Sequence, residues 1–147
     1  MNLFHQMNKM NTEIKQKWVN ALRSGEYEQG SEKLYSGRGY CCLGVLCDLY
    51  SKENGLKWEF RGDDVIKTED EIVPSQLQKF DYFYFDDESE FLPESVKEWA
   101  ELSVKNPQVR VECEYGEDAR FYVDEIANVN DSGYSFTQLA EIIENQF

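Results

Sequence analysis

Gly37-Arg38-Gly39-Tyr40 runs directly into Cys41-Cys42 and an apolar segment. Glycines let a backbone approach a ligand, and the N–H groups opening a helix attract anions. A guanidinium can also clamp a phosphate or carboxylate through two parallel hydrogen bonds. Gly37, Arg38, Gly39, Tyr40 and Cys41 are therefore candidate ligand-binding residues. The alternative is a tight turn with a solvent-facing arginine. Arg23 closes a predicted helix, where a cation is ordinarily favourable, and joins the site only if it faces the same hollow. Asp48 interrupts the apolar segment, and a buried carboxylate must be paired or hydrogen-bonded. Arg23 or Tyr40 could partner it, or it could read a ligand hydroxyl. Asn130 and Asp131 open the turn-rich Asn130-Asp131-Ser132-Gly133, which either caps a helix or forms a second polar wall.

Cys41, Cys42, Cys47 and Cys113 suit small buried hydrophobes better than catalysts. A thiol at a helix start is driven toward thiolate, but thiolate catalysis generally needs a base, and the only histidine is the distant His5. Their spacing makes no zinc knuckle, so no metal and no cofactor is expected. Trp18, Trp58 and Trp99 read as core residues rather than base-stacking platforms.

The elements that must position these residues follow from periodicity. Asn11 or Thr12 caps a helix to about Ser24, with Ile14, Trp18 and Leu22 on one stripe and Gly25 as its stop. Residues 26–39 suggest a short hairpin or ordered loop. Tyr40–Ser51 reads as a second helix, apolar nearly all round and hence central. Short strands are expected at 56–60, 63–66 and 80–85, with a turn at Arg61-Gly62, a helical turn at Pro74, and a helix entered at Pro93. Alternation over 109–115 and 119–126 predicts an antiparallel hairpin turning at Gly116-Glu117-Asp118. Ser135 and Gln138 fit a capping box before a last helix. The expected fold is a single compact α+β domain over residues 11–147, with three to four helices on a small, mainly antiparallel sheet. Residues 1–10 are expected to be flexible.

The chain of 147 residues carries 29 acidic and 15 basic side chains, a net charge of -14. Residues 1–55 hold six acids against seven bases, and residues 56–147 hold 23 against eight. Direct nucleic-acid binding is excluded on charge, because phosphate neutralisation needs clustered lysine and arginine. A membrane span and an export signal are not expected either. The acid-rich stretch 59–90, containing Asp86-Asp87-Glu88-Ser89-Glu90, is either a solvated loop or a face that imitates DNA phosphates. The near-neutral first third is where an anion is least repelled.

Three blocks carry a resemblance: Trp18-Val-Asn-Ala-Leu-Arg-Ser-Gly-Glu-Tyr-Glu-Gln29, Tyr40-Cys-Cys-Leu-Gly-Val-Leu-Cys-Asp-Leu49, and Asn130-Asp-Ser-Gly-Tyr-Ser-Phe136 with Leu139-Ala-Glu-Ile-Ile-Glu144. In this order, with Leu92-Pro-Glu-Ser-Val-Lys-Glu-Trp99 between them, they resemble an uncharacterised family of small bacteriophage and prophage proteins. The resemblance implies a phage origin and expression in the host cytoplasm, and supplies no catalytic residues. Small accessory phage proteins commonly neutralise host immunity. The leading expectation is an anti-defence protein that sequesters a small anionic, nucleotide-derived immune signal without turnover. A symmetric homo-oligomer is a natural way to build such pockets. The alternatives are an acidic inhibitor or DNA mimic that blocks a host defence protein, and a nucleotide-acting enzyme.

Overall fold

The computed structural model describes residues 3–61, 66–115 and 118–147, without the side chains of residues 113–115, 118 and 119. The expected turns at Gly62 and at Gly116-Glu117, the strand start at Asp63 and the Cys113 thiol lie outside the described residues. The rest forms the expected α+β domain, with its antiparallel strands divided among three small sheets rather than gathered in one.

After a first helical turn, α1 (Leu3–Met7), helix α2 spans Thr12–Arg23. The Asn11 side chain accepts the Ile14 amide at 3.0 Å, satisfying one of the donors that a helix start leaves unpaired. Ile14, Trp18, Val19 and Leu22 are buried along one stripe, and the Trp18 indole N–H reaches the Cys42 carbonyl at 2.9 Å. Strands β1 (Tyr35–Ser36) and β2 (Gly39–Tyr40) form a minimal hairpin before α3 (Cys42–Asn54). Every residue from Cys42 to Asp48 is buried, so α3 is the central helix that its apolar composition predicts. Gly55, at φ 66°, ends it in the left-handed conformation that costs glycine least.

Strands β3 (Glu59–Arg61), β4 (Ile66–Thr68) and β5 (Phe83–Tyr84) follow, in spatial order β4-β3-β5. Beyond them come α4 (Glu94–Ala100), the ribbon β6 (Gln108–Tyr115) with β7 (Asp118–Glu125), α5 (Ile126–Asp131) and α6 (Phe136–Gln146). The Ser135–Gln138 capping box is present, and α6 packs along α2 with Phe147 set edge-on to Trp18.

Before α2, the Asn8 side chain donates to the Gln108 carbonyl at 2.7 Å and Met10 lies in the core. Two expectations are corrected. The central helix begins at Cys42, because Tyr40 is held in β2 by exchanging backbone bonds with Glu28 and Gly30. The expected strand over 80–85 shrinks to Phe83–Tyr84, because Gln78 and Asp81 close a turn on each other.

Gly44 sits where α3 crosses the loop leading to β1. A Cβ there would lie 1.8 Å from the Leu34 carbonyl oxygen, which itself accepts the Cys41 amide at 3.1 Å. Neither backbone can yield without opening the α3 entrance. Gly44→Ala is therefore expected to destabilise the domain by about 3 kcal/mol or more, the range of severe backbone clashes. Chemical denaturation followed by tryptophan fluorescence measures it.

Candidate functional site

The entrance of α3 is the place the sequence marks for chemistry. Cys41 caps the helix in extended backbone conformation, and its Sγ accepts the Gly44 amide at 3.4 Å. The Cys42 amide donates to Asn130 Oδ1 at 3.3 Å. The Cys42 and Gly44 amides thus already have partners inside the protein. Asn130 is 3% exposed; its Nδ2 donates to the Gly30 carbonyl at 2.9 Å, and its Oδ1 also accepts Gln29 Nε2 at 3.0 Å. Gln29 extends the brace, with Nε2 to the Tyr134 carbonyl at 2.7 Å and Oε1 accepting the Phe136 amide at 3.0 Å. Asp131 Oδ1 accepts the Glu32 amide at 3.0 Å. One glutamine and one asparagine thereby join the loop after α2, the start of α3, α5 and the start of α6.

The glycines let chain meet chain here. A Cβ on Gly39, whose φ is 129°, would lie 2.3 Å from the Glu28 carbonyl oxygen, and one on Gly37 would lie 2.1 Å from that of Gln78. Arg38 is exposed, with its guanidinium carbon 5.0 Å from the centroid of the Phe80 ring. Arg23 pairs with Glu144 of α6 at 2.8 Å. The structure therefore brings Gly39, Tyr40, Cys41, Asn130 and Asp131 together around α3, while Arg23 and Arg38 engage other partners.

A cavity of about 420 Å³ does open at this entrance, lined by Glu32, Lys33, Cys41, Glu90, Phe91, Ala127, Asn128 and Asp131. Its charge is opposite to the expectation. Three carboxylates face one ammonium, and that ammonium, on Lys33, is already paired with Glu90 at 3.0 Å. Such a lining favours a cation over a phosphate.

Asp48 is 4% exposed and fully engaged, though neither Arg23 nor Tyr40 is its hydrogen-bond partner. Oδ2 accepts the Tyr27 hydroxyl at 2.5 Å and lies 3.1 Å from Lys52 Nζ, while Oδ1 accepts the Trp58 indole N–H at 3.1 Å. Lys52 Nζ also donates to the Tyr27 hydroxyl at 3.1 Å. Tyr40 contributes an aromatic wall: its ring stacks on Tyr35 at 4.1 Å, and Tyr35 stacks in turn on Phe83 at 4.3 Å. Burial, with the nearby Asp48 charge, holds the Tyr40 phenol far above its usual range. Burial and the bond to Asp48 push Tyr27 up to about 12. The i,i+4 spacing of Asp48 and Lys52 on a helix was the one sequence signal for this cluster. Tyr27, Gln29 and Trp58 carried none that separates a brace from an ordinary loop or core residue.

The three described thiols, Cys41, Cys42 and Cys47, are not poised for attack. Burial pushes Cys41 up to about 12, outweighing the helix-start amides that lower it, and raises Cys42 and Cys47 well above the usual thiol range.

Over residues 10–147 the chain matches the family described as Domain of unknown function (DUF8296). The chain belongs to that family. No curated protein and no solved structure matches it. The DUF8296 match includes every element from α2 to α6, so the Gln29–Asn130 brace and the Asp48 cluster both lie inside it. Among the described residues, no helix is long and apolar enough to cross a membrane.

Two outcomes follow from this chemistry. In a Cys113→Ser variant, Cys41, Cys42 and Cys47 are expected to resist an aromatic disulfide reagent at about pH 8, then to react fully once the chain is denatured. Alkaline stability should also fall in a defined window. Cys41 and Tyr27 have folded values raised from 9.0 and 10.0 to about 12, so the neutral forms stabilise the fold below those unfolded values. That contribution is lost as pH rises from about 9 through about 12, which thermal melts at stepped pH will register.

Proposed function

We propose that this DUF8296 protein is a non-enzymatic binding protein whose acidic face engages a basic surface on a partner protein. In the phage setting that the sequence blocks suggest, the partner is a host defence protein. The observation that carries this reading is the acidic hollow at the α3 entrance, lined by Glu32, Glu90 and Asp131, with the Asp86-Asp87 turn shortly before Glu90 in the chain.

That turn is built to present charge. Asp86 and Asp87 have φ values of 48° and 65°, and Phe85 and Glu88 close the turn with reciprocal backbone bonds of 2.8 and 3.0 Å. Two successive left-handed residues match the twist of a two-residue hairpin turn, and aspartate tolerates the conformation better than most side chains. Asp86 is further held by the Ser95 hydroxyl at 2.8 Å, and Asp87 pairs with Arg61 while its side chain stays 85% exposed. The carboxylates are therefore fixed before any partner arrives, which reduces the ordering cost of binding. The net charge of -14 supplies the long-range attraction.

Sequestration of a small nucleotide-derived anion draws no support from this geometry, because the Cys42 and Gly44 amides at the α3 entrance are bonded internally and the adjoining hollow is acidic. Turnover lacks an activated nucleophile among the groups at α3.

Fluorescence anisotropy with a labelled arginine-rich peptide tests the proposal. Combined Glu32→Gln, Asp86→Asn, Asp87→Asn and Glu90→Gln substitution is expected to weaken binding about tenfold or more. Charge-matched replacement of Glu13, Glu53, Glu98 and Glu141 by glutamine should weaken it far less. Binding should also fade as salt shortens the screening length from about 10 Å at 0.1 M toward about 3 Å at 1 M. Equal losses in the two variants, or calorimetric binding of a cyclic dinucleotide or ADP-ribose, would contradict the proposal.

A further inference from the structure

The β6–β7 ribbon has two edges, and they are treated differently. On the β6 edge, the Arg110 amide donates to Gln146 Oε1 at 2.7 Å, and the Arg110 carbonyl accepts Gln146 Nε2 at 2.8 Å. A side-chain amide thus stands in for a neighbouring strand. These two bonds also fix the polarity of the ladder. The polar groups of Arg110 point away from β7, so Arg110 and the residue opposite it, Val123, form a pair without mutual backbone bonds. Val123, and Phe121 two residues before it, therefore direct their N–H and C=O groups to the outer edge of β7. Among the described residues no strand pairs with that edge.

Natural edge strands are generally short, bulged, interrupted by proline or covered. β7 is eight residues long, pairs with β6 in unbroken register and contains no proline. Phe121, Tyr122 and Val123 are 56%, 40% and 47% exposed along it.

We propose that two copies of this chain join through the outer edges of β7, antiparallel about a two-fold axis at Tyr122. The strand's sequence is self-complementary in that register. Phe121 falls opposite Val123 twice, and both residues direct their backbone groups across the junction, forming two hydrogen bonds in each pair. Arg120 falls opposite Asp124 twice, as close opposite charges on one face. Arg120 has no ion pair among the described residues. Asp124 uses Oδ1 for the Glu125 amide and the Asn128 side chain, leaving Oδ2 for a guanidinium. Sliding the copies by one pair in either direction is worse. One slip sets Asp118 against Asp124, and the other sets Phe121 against Glu125. Charge therefore selects the register, and the apolar stripe with the unpaired backbone supplies the attraction.

Size-exclusion chromatography with light scattering on the full chain tests this, and a species of twice 17.3 kDa is expected. Val123→Pro removes an amide that the β6 ladder does not use, so it should give monomer with an unchanged far-ultraviolet circular dichroism spectrum. Arg120→Asp and Asp124→Arg alone should each weaken the dimer at least tenfold, and together they should restore it. A monomeric wild-type chain overturns the proposal. So does a dimer that survives both Val123→Pro and the single reversals, or a double reversal no tighter than the singles.

Discussion

The first turn of a buried helix carries N–H groups that must find partners, since each one left unpaired in the interior costs about 1–3 kcal/mol. In this domain α3 begins inside the protein, and Asn130 and the Cys41 thiol supply those partners. Much else follows from that requirement. Asn130 can reach Cys42 only because α5 places it there, and its amide is oriented by Gln29 and by the Gly30 carbonyl. Gln29 in turn needs the Tyr134 carbonyl and the Phe136 amide at the entrance of α6. Segments about a hundred residues apart in sequence are thus tied by directional bonds to one helix end. The glycines at 30, 37, 39 and 44 allow these backbones to come close enough.

At the other end of the buried stretch of α3, Asp48 imposes a second demand. A carboxylate removed from water must be met by donors, and Tyr27, Trp58 and Lys52 meet it from the loop after α2, the approach to β3 and the next turn of α3. The stacked rings of Phe83, Tyr35 and Tyr40 wall the same cluster. This couples the β4-β3-β5 layer to the central helix. A structural carboxylate in this setting specifies one arrangement of its neighbours more strongly than it adds net stability.

Much of the fold was legible because local rules and tertiary contacts agreed. The stripe Ile14-Trp18-Leu22, the Ser135–Gln138 box and the alternation over β6 and β7 each followed from period or capping alone. The candidate site was legible in location but not in meaning. Gly39, Cys41, Asp48 and Asn130 do lie in or against α3, yet residue type cannot say whether a donor faces a ligand or another part of the chain. That depends on partners outside the local segment, such as Gln29 for Asn130 and Tyr27 for Asp48. The partners of the arginines were hidden for the same reason: Glu144 and Phe80, the groups that engage Arg23 and Arg38, are remote from them in the chain. The helical turn of α5 was hidden because Asn130-Asp131-Ser132-Gly133 has the composition of a turn, while its buried side, Ile126 and Val129, spans too few residues to show a period.

Polar residues that look chemically active are therefore bonded inward, and the recognition proposed for this chain rests on carboxylates at the surface. The inward bonding is open to direct measurement through the unfolding free energies of Gln29→Ala, Asn130→Ala and the double variant. The two side chains share a hydrogen bond and three surrounding backbone segments, so a coupling energy of about 1–2 kcal/mol is predicted, with each single variant clearly destabilised. Singles that unfold like the wild type, with effects that simply add, would show that the α3 entrance does not depend on this brace.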